Sequence, residues 1–218
     1  MNEFKWERYA ALGGIWFVVL SVVGALLPGA PPSTNDSVAK IAKYFSDHSG
    51  AIEAAQLLTG LAIIGLLWWF GSLWRLMVKA EDGRPRMAVV ALGGLALGIT
   101  LGLASGAITS AVALQHQDVA REAKFFYILS IVLLASAGFG LVVHIAAVTS
   151  LSYRTKLFGT WINIIGWIAA LLFLIGTIAS ASDATAFGFI GLFAFLVWCL
   201  WIVLISLNMW RRTAVPAT

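Results

Sequence analysis

Two short stretches of this sequence, "FSDHSGAIEAAQ" and "LQHQDVARE", hold side chains whose types suit metal binding. They contribute His48, His116 and Asp118, and imidazole and carboxylate groups are common protein ligands of divalent metals such as Zn²⁺. These three residues are therefore candidates for a divalent metal site on the outer face of the membrane, and no other cofactor is predicted. Their spacing matches no established metal motif, so the alternative is that Asp118 and Glu53 stabilise the N-terminal ends of helices.

Polar side chains in or beside apolar segments form a second group of candidates. His144 stands in "FGLVVHIAAV", and an ionisable group inside a membrane segment is by default a functional candidate. The alternative is a neutral histidine that hydrogen-bonds to a neighbouring helix, with Asn163 as a partner at similar depth. Glu53 and Gln56 lie one helical turn apart, at a position that suits the mouth of a cavity. These four residues are the candidates for a ligand site or a transport path.

Signatures of catalysis are missing from the sequence. It contains no G-x-x-x-x-G-K-[ST] phosphate loop, no H-E-x-x-H zinc motif and no pair of carboxylates inside an apolar segment. The stretch "GLASG" followed by His144 is superficially similar to the serine loop and histidine of rhomboid intramembrane proteases. That loop begins with a glycine where this chain has Leu103, so no catalytic residue is predicted.

The composition indicates that most of the chain lies in the hydrocarbon of a membrane rather than in water. Of the 218 residues, 61% are hydrophobic and 11% are charged, whereas soluble domains carry about 25% charged residues. Six apolar segments are each close to the roughly 20 residues that cross a bilayer. They span residues 10–27, 51–74, 88–114, 125–150, 158–180 and 186–210. The sequence therefore predicts one all-α domain over residues 1–218, a polytopic transmembrane bundle of six helices.

The positive charges predict how this bundle lies in the membrane. Ten of the 14 Lys and Arg residues fall on the side of the chain termini and four on the other side. Because cytoplasmic loops carry the excess of Lys and Arg, both termini are predicted to be cytoplasmic, in the inner or plasma membrane. No basic block interleaved with aromatics points to nucleic acid.

The longest connection, 28–50, carries a helical pattern of its own. Val38, Ile41 and Phe45 recur at helical spacing, and Ser33 with Asp36 fits a helix start. We expect a short amphipathic helix in this first outer loop, either on the membrane surface or capping the bundle.

Small residues recur at a spacing of four in two neighbouring segments. In a helix such residues form a groove without side chains, where another backbone can approach closely. We predict helix packing at Gly94, Gly98, Gly102, Gly106, Ser136 and Gly140; self-association through this stripe, or a glycine-lined pore, is the alternative.

The stretch "LLWWFGSLWRLM", the turn "EDGRPR" and the glycine-rich helix after them resemble uncharacterised bacterial six-span membrane proteins of the domain-of-unknown-function type. The resemblance covers most of the chain and implies no activity and no site residue. The leading hypothesis is a non-catalytic module, surrounded by membrane lipid, that binds a partner protein, a second copy or a lipid-like ligand. A small-solute transporter or channel is the second hypothesis, and a membrane enzyme acting on a lipid or peptide is the third.

Overall fold

The computed structural model describes residues 3–115, 120–180 and 184–212, and within them the chain forms seven helices and no strand. In chain order the helices are α1 (Glu3–Leu26), α2 (Val38–Asp47), α3 (Ser49–Ala80), α4 (Arg86–Leu114), α5 (Ala120–Thr155), α6 (Thr160–Ala179) and α7 (Ala184–Arg212). All but α2 are long and apolar enough to cross a membrane. The predicted all-α bundle of six helices, with a short helix in the first connection, is confirmed.

The six long helices close into a ring. Each packs against the next one along the chain, and α7 packs against α1; the most extensive contact joins α4 and α5. Short connections explain this order, because two helices joined by a few residues must lie side by side. We call the end of the ring that carries α2 the α2 end. The opposite end, with the α3–α4 and α5–α6 turns, is the terminal end.

The outer surface of the ring is apolar. Large side chains such as Trp161, Phe189 and Leu26 are more than 70% exposed. An apolar surface this extensive is unfavourable in water and favourable in hydrocarbon, and helices satisfy their own backbone polar groups there. The chain is therefore an integral membrane protein.

One carboxylate determines how α4 begins. The backbone between α3 and α4 reverses through Asp82 and Gly83, which both have positive φ (52° and 79°). This turn places the Glu81 carboxylate where it accepts hydrogen bonds from the amides of Met87 (2.7 Å) and Ala88 (3.0 Å). The negative charge thus caps amides that would otherwise lack partners at the start of α4.

The start of α2 differs from the prediction. Ser33 and Asp36 form a turn of their own, in which the Ser33 amide donates to the Asp36 carboxylate at 2.9 Å. The helix begins at Val38, and the cap is Ser37, whose hydroxyl accepts from the amide of Lys40 at 3.3 Å. The Asp36 side chain is used within the turn, so the next hydroxyl along the chain caps the helix.

Candidate functional site

A cavity of about 160 Å³ lies at the α2 end of the ring. Its walls come from the α1–α2 connection and from α2, α3, α4 and α5. The lining residues are Pro28, Pro31, Tyr44, Phe45, Ile52, Ala55, Gln56, Thr59, Gly106, Thr109, Ser110 and Tyr127. The cavity therefore combines aromatic and proline surfaces with amide and hydroxyl groups.

Helix α2 forms one wall of this cavity by packing down onto the bundle. Ile41 and Phe45 are buried to 0% and 2% exposure in a small apolar cluster with Val112 and Tyr127. The rings of Phe45 and Tyr127 meet edge to face, with centroids 5.5 Å apart. Of the two expected placements of α2, the structure shows the helix capping the bundle.

Three hydrogen bonds hold the segment around α2 in place, and each ends on a backbone carbonyl of the α1–α2 connection. The Tyr44 hydroxyl donates to the carbonyl of Pro28 at 3.1 Å. The Tyr127 hydroxyl donates to Pro32 at 2.7 Å, and the Lys124 ammonium donates to Asp36 at 2.9 Å. Because the last two bonds begin on α5, they fasten the connection to the bundle itself.

The two lysines of α2 each pair with a carboxylate, one in the α1–α2 connection and one within α2. Lys40 lies 2.9 Å from the Asp36 carboxylate, and Lys43 lies 2.6 Å from that of Asp47. The hydrogen bond from Lys40 lowers the pKa of Asp36, with a smaller contribution from the Ser33 amide. Burial against the bundle raises the pKa of Tyr44, so this phenol stays protonated as a donor.

Two polar groups of the cavity have unused hydrogen-bonding capacity. The Ser110 hydroxyl is shielded from solvent and has no partner among the described residues. The Gln56 amide lies directly over Gly106, in the space that a Cβ would occupy, and makes no hydrogen bond within the part of the chain that the structure describes. By contrast, Thr59 and Thr109 donate their hydroxyl protons to carbonyls of their own helices, at 2.9 and 3.0 Å. Gln56 and Ser110 are therefore the groups free to donate to a ligand.

The other sequence candidates do not line this cavity. Glu53 is exposed on α3. Asn163 is buried on α6, and His144 is buried within the ring. Of the four residues proposed for a ligand site or path, the structure brings Gln56 alone to the cavity wall.

His144 occupies the interior of the ring with no exposed surface. Its Nδ1 donates to the carbonyl of Ala91 on α4 at 3.0 Å, so the partner is a backbone carbonyl rather than Asn163. The rings of Phe70 on α3 and Trp201 on α7 lie 5.5 and 6.1 Å away between centroids. The Nε2 atom has no partner in the described part of the chain. One side chain thus contacts three other helices.

The metal candidates are described only in part. His48 ends α2, where its Nδ1 donates to the Tyr44 carbonyl at 2.9 Å and its ring stacks on that of Tyr44. His116 and Asp118 lie outside the described residues. Within the residues described, no three His, Cys, Asp or Glu side chains come together as a metal site.

The glycines of α4 have three different surroundings. A Cβ on Gly94 would lie 2.6 Å from the His144 amide nitrogen, and one on Gly140 would lie 2.6 Å from that of Gly98. The backbones of α4 and α5 therefore touch at these positions. Gly106 makes room for Gln56, whereas a Cβ on Gly102 would meet nothing within 4 Å.

Ser136, the remaining member of the small-residue set, donates to the carbonyl of Val132 in its own helix at 2.8 Å. A glycine of α5 that does lie close to α6 is Gly138, where an added Cβ would overlap the hydroxyl of Thr177.

Sequence reasoning missed two features. Gly13 of α1 and Gly65 of α3 form another close approach, since a Cβ on Gly65 would lie 2.9 Å from the Gly13 carbonyl oxygen. Each is a single glycine contact without the four-residue repeat that marks α4. The cavity role of Tyr127 was missed as well. An aromatic residue near the end of a membrane segment ordinarily indicates the lipid headgroup region.

The ring of apolar helices and the cavity under α2 define a helical polytopic membrane protein. No protein-family model, curated protein or solved structure matches this chain.

Proposed function

We propose that this protein is a membrane-embedded binding module that holds a lipid-like ligand in the cavity under α2. One observation carries the proposal: the cavity wall contains a shielded hydroxyl, that of Ser110, which has no partner among the described residues, and the Gln56 amide lines the same wall. Shielded polar groups are ordinarily satisfied, because an unmade hydrogen bond costs roughly 1–3 kcal/mol. A ligand that bonds to Ser110 would recover that energy, and the half-buried Gln56 amide offers it further hydrogen bonds.

The composition of the wall supports binding rather than catalysis. Among the residues that the structure describes, no His, Cys, Asp, Glu, Lys or Arg lines the cavity, so these residues supply no nucleophile of lowered pKa and no general base. A few polar groups set in an apolar and aromatic wall are typical of sites that orient a ligand.

The test is to fill the cavity and follow what purifies with the protein. Thr109→Phe would place an aromatic ring in the cavity, while Thr109→Val keeps the size of the wild-type side chain. Native mass spectrometry of the full chain in mild detergent should find a bound organic species on the wild type and on Thr109→Val. That species should be lost from Thr109→Phe. Equal retention by both variants, or none on the wild type, would refute the proposal.

We further propose the inner-membrane orientation that the Lys and Arg distribution favours, with both termini cytoplasmic and the α2 end outside. Single-cysteine variants of exposed residues test it, in a Cys199→Ser background. A membrane-impermeant thiol reagent added to intact cells should label Ser46→Cys at the α2 end and spare Arg84→Cys at the terminal end. The reverse pattern would overturn the assignment.

A further inference from the structure

We infer that the cavity under α2 selects an uncharged, hydroxyl-bearing headgroup, the glycerol group of a neutral monoacylglycerol-type lipid, through Gln56 and Ser110. The inference rests on the proposed function and adds the class of ligand. Three properties of the wall lead to it: its charge, its hydrogen-bonding groups and its size.

Charge excludes a phosphate or carboxylate headgroup. Within the described ranges, no cationic side chain lines the cavity. The lysines described at this end are already engaged, because Lys40 and Lys43 pair with carboxylates and Lys124 donates to the Asp36 carbonyl. An anion taken from water into this site would lose its hydration without gaining a counter-charge, which is strongly unfavourable.

Hydrogen bonding favours a group that both donates and accepts. The Gln56 amide supplies two N–H donors and a carbonyl acceptor, and the Ser110 hydroxyl supplies one donor and an acceptor. The Thr59 and Thr109 hydroxyl protons are used within their helices, so their oxygens remain as acceptors. Adjacent hydroxyls on a glycerol group match this set, since each hydroxyl gives one proton and accepts another.

Size limits how much of a lipid enters. Pockets that enclose a whole drug-sized ligand have volumes of about 300–1,000 Å³. At about 160 Å³, this cavity holds a headgroup and leaves the acyl chain outside. Gly106 makes this arrangement possible, because a Cβ there would overlap the Gln56 amide and displace it from its place in the wall.

The experiment compares two probes with the same acyl chain, 1-oleoylglycerol and its phosphate ester, oleoyl lysophosphatidic acid. Each is titrated against the full chain in mild non-ionic detergent, with binding read by native mass spectrometry. The neutral lipid should bind about tenfold or more tightly than the phosphate ester. Gln56→Ala and Ser110→Ala should each weaken that binding by roughly tenfold, a loss typical of one hydrogen bond in a shielded site.

Two further variants keep the result interpretable. Glu53→Ala changes an exposed residue one turn from Gln56 and outside the cavity, so it should bind as the wild type does. Gln56→Lys adds a cation to the wall and should reverse the preference in favour of the phosphate ester. Reaction of the buried Cys199 with a thiol dye on heating reports whether each variant is folded.

The outcomes separate the two claims. Equal binding of both probes, or tighter binding of the phosphate ester to the wild type, overturns the headgroup inference. If Thr109→Phe then abolishes both, the proposed binding function stands. Binding of the neutral lipid that none of the cavity variants changes overturns both claims, as does failure of both probes to bind the wild type.

Discussion

Replacing Gly140 with alanine should force α4 and α5 apart. The new Cβ would lie 2.6 Å from the Gly98 nitrogen and 2.7 Å from the Gly94 oxygen, and both are backbone atoms that no rotamer change can move. To reach an ordinary contact of 3.4 Å, the α4 backbone must shift by about 0.8 Å. Overpacking of this kind costs about 1–3 kcal/mol. For a chain of this length that cost lowers the unfolding midpoint by about 2–12 °C.

The matched control is Gly102→Ala. A Cβ at this position meets nothing within 4 Å, although Gly102 belongs to the same four-residue repeat. Alanine is also the better helix former, so the midpoint of this variant should equal or exceed that of the wild type. The pair separates close packing at one position from a general effect of removing a glycine.

Cys199 provides the assay. It is the single cysteine of the sequence and is 4% exposed, so a thiol-reactive fluorogenic dye reports its exposure as the protein unfolds. The wild type, Gly140→Ala and Gly102→Ala would be heated in the same detergent. If the unfolding midpoint of Gly140→Ala equals that of Gly102→Ala, the backbone contact between α4 and α5 does not hold the bundle together, and the reasoning fails.

Three further changes have expected results with the same preparation. His144→Ala removes a side chain that contacts three other helices and should destabilise the bundle by about 2–4 kcal/mol through the void it leaves; a midpoint equal to the wild type would contradict this. Glu81→Ala deprives two α4 amides of their acceptor and should lower the free energy of unfolding by about 1 kcal/mol. Hydrogen exchange should become faster at the start of α4, and an increase located elsewhere would argue against a capping role. The lowered pKa of Asp36 means that its ion pair with Lys40 contributes fully above the ordinary value of 3.8 and is lost as pH falls through the folded-state pKa. Exchange of the α2 amides, corrected for intrinsic rates, should therefore rise below that pH in the wild type and show no such rise in Asp36→Asn.

Much of the fold could be predicted because the bilayer constrains length and backbone bonding together. A segment in hydrocarbon must pair its own N–H and C=O groups, so each long apolar run becomes a helix whatever its glycine content. The predicted segment 88–114, with its repeated glycines, accordingly matches α4, which spans Arg86–Leu114. The spacing of Ile41 and Phe45 likewise predicted α2 and its buried face.

The candidate site could be predicted only in part. Gln56 was singled out because it lies one helical turn from Glu53, at a position that suits the mouth of a cavity. No sequence pattern marks Ser110 and Tyr127 as cavity residues. A serine beside glycines ordinarily indicates helix packing, and a tyrosine near a helix end ordinarily indicates contact with lipid headgroups. These residues line one cavity because α5 is fastened to the α1–α2 connection, through hydrogen bonds between residues more than 80 positions apart.

The sequence by itself determined the solvent, the helices and their order, because hydropathy, length and backbone bonding act locally along the chain. The tertiary structure decided which of four equally spaced glycines touch a neighbour, that His144 bonds to a carbonyl of α4, and that α2 closes over Gln56. Those outcomes depend on how far each helix is rotated and shifted against the next. That arrangement is set by the packing of all six long helices together, and no single segment encodes it.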